Sequence, residues 1–194
     1  MEIKIIAIVG ATNLGRRIAH AAVLAGYRAI LEDVSPSTLE QGIAWITQAL
    51  HYDVDGGRID SAARDAALAN LTTATTAEDA SREADLIIEA VADEMEMKVE
   101  LFTIFDKFAK PGAIFASTTT SLSISDMAAV TFCPERCIGM RFFVDARNAT
   151  RLELVRGTET SEETVATCRE VGSCMGMEVS ILSDEQAASA SASD

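Results

Sequence analysis

The stretch near the amino terminus, residues 6–26, reads IAIVGATNLGRRIAHAAVLAG and constrains the fold more than any other segment. The run Ile3–Val9, which is apolar apart from Lys4, predicts a strand buried on both faces, because a half-exposed strand would alternate apolar with polar residues. Gly10 interrupts the run, and Leu14–Ala25 then has helical apolar spacing and stops at Gly26. A buried strand joined by a glycine turn to a helix is the unit from which helix-covered parallel sheets are built. The segment therefore predicts an α/β fold.

The rest of the chain repeats this alternation. Apolar runs recur along the sequence, and stretches with helical spacing or polar turn residues lie between them. The further predicted strands are Arg28–Asp33, Leu71–Thr76, Asp85–Val91, Ala113–Thr118, Cys137–Phe143, Leu152–Gly157 and Glu178–Leu182. This order predicts a Rossmann-like, doubly wound, mainly parallel sheet with helices on both faces.

Composition sets the domain count and excludes several classes of partner. A chain of 194 residues that is 48% hydrophobic can bury one full core. We predict one folded domain over residues 1–183 and a disordered, Ala- and Ser-rich tail over residues 184–194. The formal net charge of −14 argues against nucleic acid or an anionic membrane surface as a partner.

The cysteines and the start of the chain bear on location. Cys133, Cys137, Cys168 and Cys174 lack the spacing of a zinc site, so we predict free thiols and no metal. The start, MEIKIIAIVG, runs directly into a strand and lacks the pattern of a signal peptide. These features predict a cytoplasmic protein.

The glycine turn carries the first functional signal. Gly10 and Gly15 occupy the first and last positions of the dinucleotide-binding pattern G-x-G-x-x-G, while Thr12 replaces the middle glycine. The start of the following helix offers unpaired N–H groups and a positive dipole end to a pyrophosphate. The second strand ends in Glu32 and Asp33, and a carboxylate there suits the ribose hydroxyls of NAD and repels the 2′-phosphate of NADP. The turn therefore predicts an NAD site, in which the Cβ of Thr12 crowds the pyrophosphate.

Four blocks in order extend this signal over residues 3–183. Besides the turn they are DLIIEAVADEMEMKVELF, IFASTTTSLSI and ERCIGMRFFVDARNATRLELVRG. Together they resemble the N-terminal domain of the 3-hydroxyacyl-CoA dehydrogenases, the β-oxidation enzymes of fatty-acid metabolism that oxidise a 3-hydroxyacyl thioester with NAD. The resemblance implies a Rossmann-type NAD-binding domain, and an acyl-CoA as a candidate ligand.

The resemblance implies a set of site residues. The cofactor-binding residues it implies are Gly10, Thr12, Asn13, Leu14, Gly15, Asp33, Asp93, Lys98 and Thr118. Lys98 matches a lysine near the nicotinamide end, Asp93 replaces a glutamate, and Thr118 replaces an asparagine. Thr120 matches a serine that faces the substrate, so a hydroxyl survives at that position.

Arg141 is the main departure from the family pattern. It stands where the family has the histidine that removes the substrate's hydroxyl proton, while Glu153 matches the glutamate that orients that histidine. Arginine keeps its proton up to a pKa above ~12, so it cannot act as a general base near neutrality. We therefore predict impaired hydride transfer and a static ion pair between Arg141 and Glu153.

A second departure concerns the end of the sequence. In the family a helical domain follows the last strand and closes the substrate cleft, and we expect no such domain after residue 183. Three hypotheses stay open: an NAD-binding protein with little turnover, an active or partner-completed dehydrogenase, and a non-catalytic interaction module. Partners for the uncovered face are a second copy of the chain or a separate helical chain. The face is predicted to contain Met140, Phe142, Phe143 and Leu152–Val155.

Overall fold

The computed structural model describes residues 2–144 and 149–191. The strands are β1 (Ile5–Val9), β2 (Arg28–Glu32), β3 (Leu71–Ala74), β4 (Leu86–Glu89), β5 (Ile114–Ser117), β6 (Cys137–Val144), β7 (Ala149–Arg156) and β8 (Glu178–Ser183). The helices are α1 (Asn13–Leu24), α2 (Pro36–Asp55), α3 (Ser61–Ala69), α4 (Ala77–Glu83), α5 (Met95–Phe108), α6 (Ile124–Ala128), α7 (Glu162–Cys174) and α8 (Asp184–Ser191).

The eight strands form one sheet in the order β3-β2-β1-β4-β5-β6-β7-β8. The neighbouring strands are parallel except for the antiparallel pair β6 and β7. The strand order reverses direction between β1 and β4, which creates the crevice in which such sheets bind ligands. The predicted Rossmann-like, mainly parallel fold is confirmed.

Helices cover both faces of the sheet and bury two apolar cores. On one face, residues such as Ile8, Leu31 and Ile88 pack with α1 and α2. On the other face, Phe102 and Phe105 of α5 pack against the strands. Both side-chain sets of the central strands are thus buried, which explains their unbroken apolar sequences.

Helix starts follow the capping signals in the sequence. The side chains of Thr12, Ser35, Asp60, Thr76, Ser123 and Ser161 each accept a hydrogen bond from a backbone N–H in the first turn. Gly112, at φ +88°, follows Pro111 in the turn between α5 and β5. The local sequence therefore determines where most of the described α-helices begin.

The segment after Ser183 differs from the prediction of disorder, because it forms helix α8. Asp184 accepts hydrogen bonds from the backbone N–H groups of Ile124 (3.1 Å) and Ser125 (3.0 Å), which fixes the start of α8 against α6. Ala187 is fully buried. These long-range contacts have no signature in the Ala- and Ser-rich sequence, so the prediction failed there. Residues 192–194 lie outside the described residues, and the domain boundary at residue 183 stays a prediction.

The residues predicted for an uncovered apolar face are mostly inside the fold. Met140, Leu152, Leu154 and Val155 are at most 1% exposed, and Phe142 is 8% exposed. The reason is that β7 pairs with β8 on its outer side, while α7 packs on the strand. Phe143 is 37% exposed, and the guanidinium of Arg151 lies 4.0 Å from its ring centre. That part of the prediction was wrong for these five buried apolar residues, whereas Phe143 is exposed and Glu153 is partly exposed.

Among the helices that the structure describes, none has the length and hydrophobicity needed to cross a bilayer.

Candidate active site

The carboxyl ends of four neighbouring strands meet at one edge of the sheet. Val9 pairs with Glu32 on one side and with Glu89 on the other, and Glu89 pairs with Ser117. We call this row, Glu32, Val9, Glu89 and Ser117, the carboxyl edge. Polar residues at such an edge converge, because parallel strands point the same ends in the same direction.

The glycine turn sits where β1 leaves the carboxyl edge. Gly10 has φ +106°, and a Cβ there would lie 2.9 Å from the carbonyl oxygen of Ala90. A Cβ on Gly15 would lie 1.9 Å from the carbonyl oxygen of Gly10, so no larger residue fits. The turn therefore brings the start of α1 directly onto the sheet, with the N–H groups of Asn13 and Leu14 in its first turn.

Thr12 uses its side chain within the protein. Its hydroxyl donates to the carbonyl of Ala90 (2.9 Å) and accepts from the N–H of Gly15 (3.1 Å). This N-cap stabilises α1, since an unpaired N–H at a helix start gains a partner. Because the N–H of Gly15 already donates to Thr12, the N–H groups of Asn13 and Leu14 are the donors available to an anion at this helix start.

The side chain of Asp33 connects the turn after β1 with the turn after β2. Its Oδ2 accepts from the N–H of Ala11 (3.0 Å), and its Oδ1 accepts from the N–H of Ser35 (2.9 Å). Each carboxylate oxygen has a second lone pair for a ribose hydroxyl. The predicted ribose acid therefore lies beside the predicted pyrophosphate turn.

A cavity of about 320 Å³ opens next to Asp33. Its lining is mainly apolar, with Val34, Val91, Met97, Leu101 and Ile104, and it includes the acids Glu32, Asp33, Glu78 and Glu100. Glu32 is only 3% exposed. Burial, together with the charges of Asp33 and Glu78, raises the pKa of Glu32 to about 7.

A buried ion pair supports the middle of the carboxyl edge. The ammonium of Lys98 lies 2.7 Å from both carboxylate oxygens of Glu89, and both side chains are nearly inaccessible. Ser117 (2.6 Å) and the N–H of Val91 (2.7 Å) also donate to Glu89. The resemblance pointed to Lys98 but missed Glu89, whose signal was an acid at the end of the apolar run DLIIE. Lys98 thus holds the strand ends together.

Asp93 lies between this ion pair and the loop of residues 118–123 that joins β5 to α6, which we call the polar loop. Its carboxylate is 3.5 Å from Lys98 and accepts from the hydroxyl of Ser121 at 2.9 Å. Burial would raise the pKa of Asp93, but hydrogen bonds from Thr119 and Ser121 and the charge of Lys98 hold it below its usual range. The structure therefore brings together two of the residues proposed for the cofactor site, Asp93 and Lys98.

The polar loop is organised by its own hydroxyl groups. Thr119 Oγ1 accepts from the N–H groups of Ser121 (3.3 Å) and Leu122 (3.0 Å). Thr118 is buried at the end of β5, and its N–H donates to the carbonyl of Glu89 at 3.0 Å. Thr120 is exposed at the tip of the loop. Of the two site threonines predicted in this loop, Thr118 is buried and Thr120 is accessible to a substrate.

Arg141 lies two residues beyond the carboxyl edge on β6 and is 5% exposed. Its Nε donates to the carbonyl of Thr119 (3.0 Å) and its Nη1 to the carbonyl of Ala187 (3.3 Å). Burial lowers the pKa of Arg141, while the charges of Glu153, Asp184 and Asp93 act in the opposite direction. The side chain therefore ties the polar loop and α8 to the sheet as a cation.

Among the described residues, Arg141 and Glu153 do not form the predicted ion pair. The two residues are directly opposite in the register of β6 and β7, but the ion pair of Glu153 is with Arg151, at 3.6 Å. The guanidinium of Arg141 instead donates to main-chain carbonyls. These belong to the polar loop and to α8, so they come within reach only after both segments have packed against the sheet. Glu153 influences Arg141 as a nearby charge.

Arg141 also lines a cavity of about 240 Å³ with Ser121, Leu122, Ser123, Asp184 and Glu185. Asp184 accepts from the backbone of α6 and from the hydroxyls of Ser123 (3.0 Å) and Ser125 (2.9 Å). Those bonds hold the pKa of Asp184 below its usual range although burial acts to raise it. Asp184 was expected at the start of the tail, and its capping role was missed.

The glycine turn, the adjoining acid and the apolar cavity at the point of strand reversal define the chain as a dinucleotide-binding domain of the Rossmann type. The residues fit NAD, because the two glycines let α1 start directly against the sheet with the N–H groups of its first turn available, and because Asp33 retains acceptor capacity.

Comparison with known proteins identifies the family. Residues 5–185 match the family model described as "3-hydroxyacyl-CoA dehydrogenase, NAD binding domain". A probable 3-hydroxybutyryl-CoA dehydrogenase of Bacillus subtilis is 36% identical over 176 residues, which are 91% of this chain and 61% of the relative. The 3-hydroxybutyryl-CoA dehydrogenase of Bradyrhizobium diazoefficiens is 35% identical over 94% of this chain and 62% of its own length. The chain belongs to the 3-hydroxyacyl-CoA dehydrogenase family, its matched domain is the NAD-binding domain, and NAD is its cofactor.

Solved structures agree with this assignment. The 3-hydroxybutyryl-CoA dehydrogenase of Escherichia coli superposes with a TM-score of 0.90 at 28% identity, covering 95% of this chain and 39% of that one. The (S)-3-hydroxybutyryl-CoA dehydrogenase of Ralstonia eutropha gives a TM-score of 0.87 at 29% identity, covering 94% and 64%. The chain spans about three fifths of the length of the curated relatives above.

Proposed function

We propose that this domain binds NAD(H) along the carboxyl edge and transfers hydride only slowly to or from 3-hydroxyacyl-CoA or 3-oxoacyl-CoA. The proposed cofactor contacts are Gly10, Thr12, Asn13, Leu14, Gly15, Asp33, Asp93, Lys98 and Thr118. The pyrophosphate would lie over the first turn of α1, the adenosine in the cavity beside Asp33, and the nicotinamide toward Lys98 and Thr118. The acyl-CoA chemistry is carried over from the names of the relatives.

The observation that carries the proposal is the environment of Arg141. Oxidation of a 3-hydroxyl moves a hydride from C3 to the cofactor and the hydroxyl proton to a base, which leaves a 3-oxo group. Bound NAD supplies the hydride acceptor, but the proton needs a group that is unprotonated near neutrality. Arg141 keeps its proton, and two of its nitrogens donate to main-chain carbonyls. Loss of a general base typically slows such a step by about 10²–10⁴-fold.

Two measurements on the chain test the proposal. Titration with NADH, followed by energy transfer from the single Trp, Trp45, should show saturable binding. Consumption of NADH in the presence of acetoacetyl-CoA should then be very slow. Failure to bind NADH would overturn the cofactor assignment, whereas rapid turnover by the unaltered chain would overturn the assignment of Arg141.

Arg141→His adds a direct test of the missing base. The variant restores the residue type that the resemblance places there, opposite Glu153. An increase in 3-hydroxyacyl-CoA oxidation with unchanged NADH affinity supports the proposal. The matched control is Arg151→His, which alters the neighbouring cation of Glu153 and should leave turnover low.

A second candidate is a dehydrogenase completed by a partner, either another copy of this chain or a separate helical chain. The cavity beside Arg141 favours it, because a guanidinium lining that space could polarise the carbonyl of a 3-oxoacyl thioester during reduction. Specific activity should then rise with protein concentration or on addition of the partner. Activity independent of both would remove this candidate. The interaction-module hypothesis is weaker, since most residues proposed for its face are buried.

We also propose a cytoplasmic location. The support is that the four cysteines are free thiols in the described chain, as expected in a reducing compartment. Localisation of the tagged chain by cell fractionation tests this.

A further inference from the structure

Glu32 is a buried acid whose position the cofactor assignment leaves unexplained. It is the last residue of β2, next to Asp33, and its side chain lines the cavity of about 320 Å³. Within the described structure its Oε1 is buried and has no hydrogen-bond partner. Buried polar atoms are rarely left unsatisfied, because each costs roughly 1–3 kcal/mol. The N–H of Gly10 interacts with this carboxyl and lowers its pKa, but one oxygen keeps no partner. A carboxyl with one unpaired oxygen that lines a cavity points to a ligand.

The charged surroundings of Glu32 set its protonation. Asp33 just after β2, Glu78 on α4 and Glu100 on α5 are the other titratable residues of the cavity lining, and none of the described lining residues is a cation. The residues that pair with Glu32 on the neighbouring strands, Val9 of β1 and Ala74 of β3, carry no charge. Burial first, and then Asp33 and Glu78, raise the pKa of Glu32 to about 7. Near neutrality the group is therefore partly a neutral acid, which can donate as well as accept a hydrogen bond.

We propose that Glu32 is a binding residue of the cofactor site, whose carboxyl hydrogen-bonds the adenosine moiety and takes up a proton when NAD(H) binds. This inference rests on the proposal that NAD(H) lies along the carboxyl edge. Adenosine offers acceptors in its ring nitrogens and hydroxyl oxygens, so a protonated Glu32 complements Asp33, which acts as an acceptor. The two neighbouring acids then perform opposite hydrogen-bonding roles.

Linkage gives the direction of the pH effect. NAD(H) bound along the carboxyl edge would cover the cavity and would place a negatively charged pyrophosphate near Glu32, and both changes would disfavour the carboxylate. The bound form therefore holds the proton more tightly than the free form. Affinity is highest below the pKa of about 7 in the free protein and falls as the pH rises above it.

The experiment is a titration of the chain with NADH, AMP and nicotinamide mononucleotide at about pH 6 and about pH 8.5, with calorimetry in two buffers of different ionisation enthalpy. We expect the Kd for NADH and for AMP to rise about tenfold between these values, with net proton uptake on binding. Nicotinamide mononucleotide lacks the adenosine and should show no such change.

Glu32→Gln keeps the shape and the donor but cannot titrate. It should bind NADH at high pH as the unaltered chain does at low pH, with no proton uptake. The matched control is Glu40→Gln, an exposed glutamate of α2 that lies outside the cavity and should keep the pH dependence. Glu78→Gln removes a neighbouring negative charge, so Glu32 ionises more readily and the fall in affinity should shift to lower pH.

The outcomes separate the two proposals. No NADH binding at any pH overturns the cofactor site itself. NADH binding that is independent of pH in the unaltered chain, or a pH dependence that persists in Glu32→Gln, overturns the role of Glu32 alone. Proton uptake in the unaltered chain keeps the test valid even if Glu32→Gln does not fold.

Discussion

The two ends of the carboxyl edge treat their buried acids differently. At the β4 and β5 end, Glu89 is bonded by Lys98, Ser117 and the N–H of Val91. At the β2 end, Glu32 lines a cavity with an unpartnered oxygen. The first acid is satisfied within the protein and stabilises the strand ends. The second keeps one buried oxygen without a hydrogen-bond partner, and we propose that a ligand completes its hydrogen bonding.

Gly15→Ala is expected to have the largest effect on this edge. The added Cβ would lie 1.9 Å from the carbonyl oxygen of Gly10, so α1 must move away from the sheet. We expect a loss of about 4 kcal/mol or more in the free energy of unfolding, measured by urea denaturation. The control is Gly26→Ala, where no atom lies within 4 Å and the positive φ costs only about 1–2 kcal/mol. Equal losses in the two variants would contradict the close approach.

Lys98→Met tests the β4 and β5 end of the carboxyl edge, where Glu89 has its hydrogen-bond partners within the protein. The change leaves the carboxylate of Glu89 buried without its cation, which typically costs about 3–5 kcal/mol in the free energy of unfolding. Adding Glu89→Gln removes the stranded charge and should recover part of the loss. If the double variant is no more stable than Lys98→Met, the ion pair does not account for the stability of this end.

Glu32→Gln tests the β2 end of the carboxyl edge, where the substitution should raise the free energy of unfolding, unlike Lys98→Met, which should lower it. A folded-state pKa of about 7, above the usual value of 4.5, means that the native state keeps a proton that the unfolded state has released. Stability is therefore lost as the pH rises from about 4.5 to about 7, and the variant removes that loss. We expect Glu32→Gln to be about 2 kcal/mol more stable than the unaltered chain near pH 8 and equally stable near pH 5. Thermal melts across this range check it, and a variant that is less stable at pH 8 would contradict the assignment.

Asp33→Asn is expected to have the smallest effect. The amide oxygen can still accept one of the hydrogen bonds from Ala11 and Ser35, so the turn should persist. Loss of the carboxylate should weaken NADH binding by about tenfold, or about 1.4 kcal/mol, and narrow the difference between NADH and NADPH. Fluorescence titration with both cofactors measures this, and an unchanged ratio of the two dissociation constants would remove Asp33 from the ribose site.

The sequence by itself determined the order of the strands along the chain, because each strand depends on short-range information. Continuous apolar runs predicted the buried strands, capping residues marked the helix starts, and Gly10 and Gly15 marked the turn. Asp33 was found because it lies at a defined distance in the chain from that turn. The family blocks added Asp93 and Lys98, which the structure brings to 3.5 Å.

Only the tertiary structure decided the partners of the charged groups. Arg141 and Glu153 face each other in register as expected, but the guanidinium bonds to Thr119 and Ala187, which are distant in the chain. Helix α8 formed where composition predicted disorder, because Asp184 caps α6 across 60 residues of sequence. Periodicity reports which face of an element is buried, whereas the partner of a buried polar group depends on which distant backbone atoms reach it after the sheet has assembled.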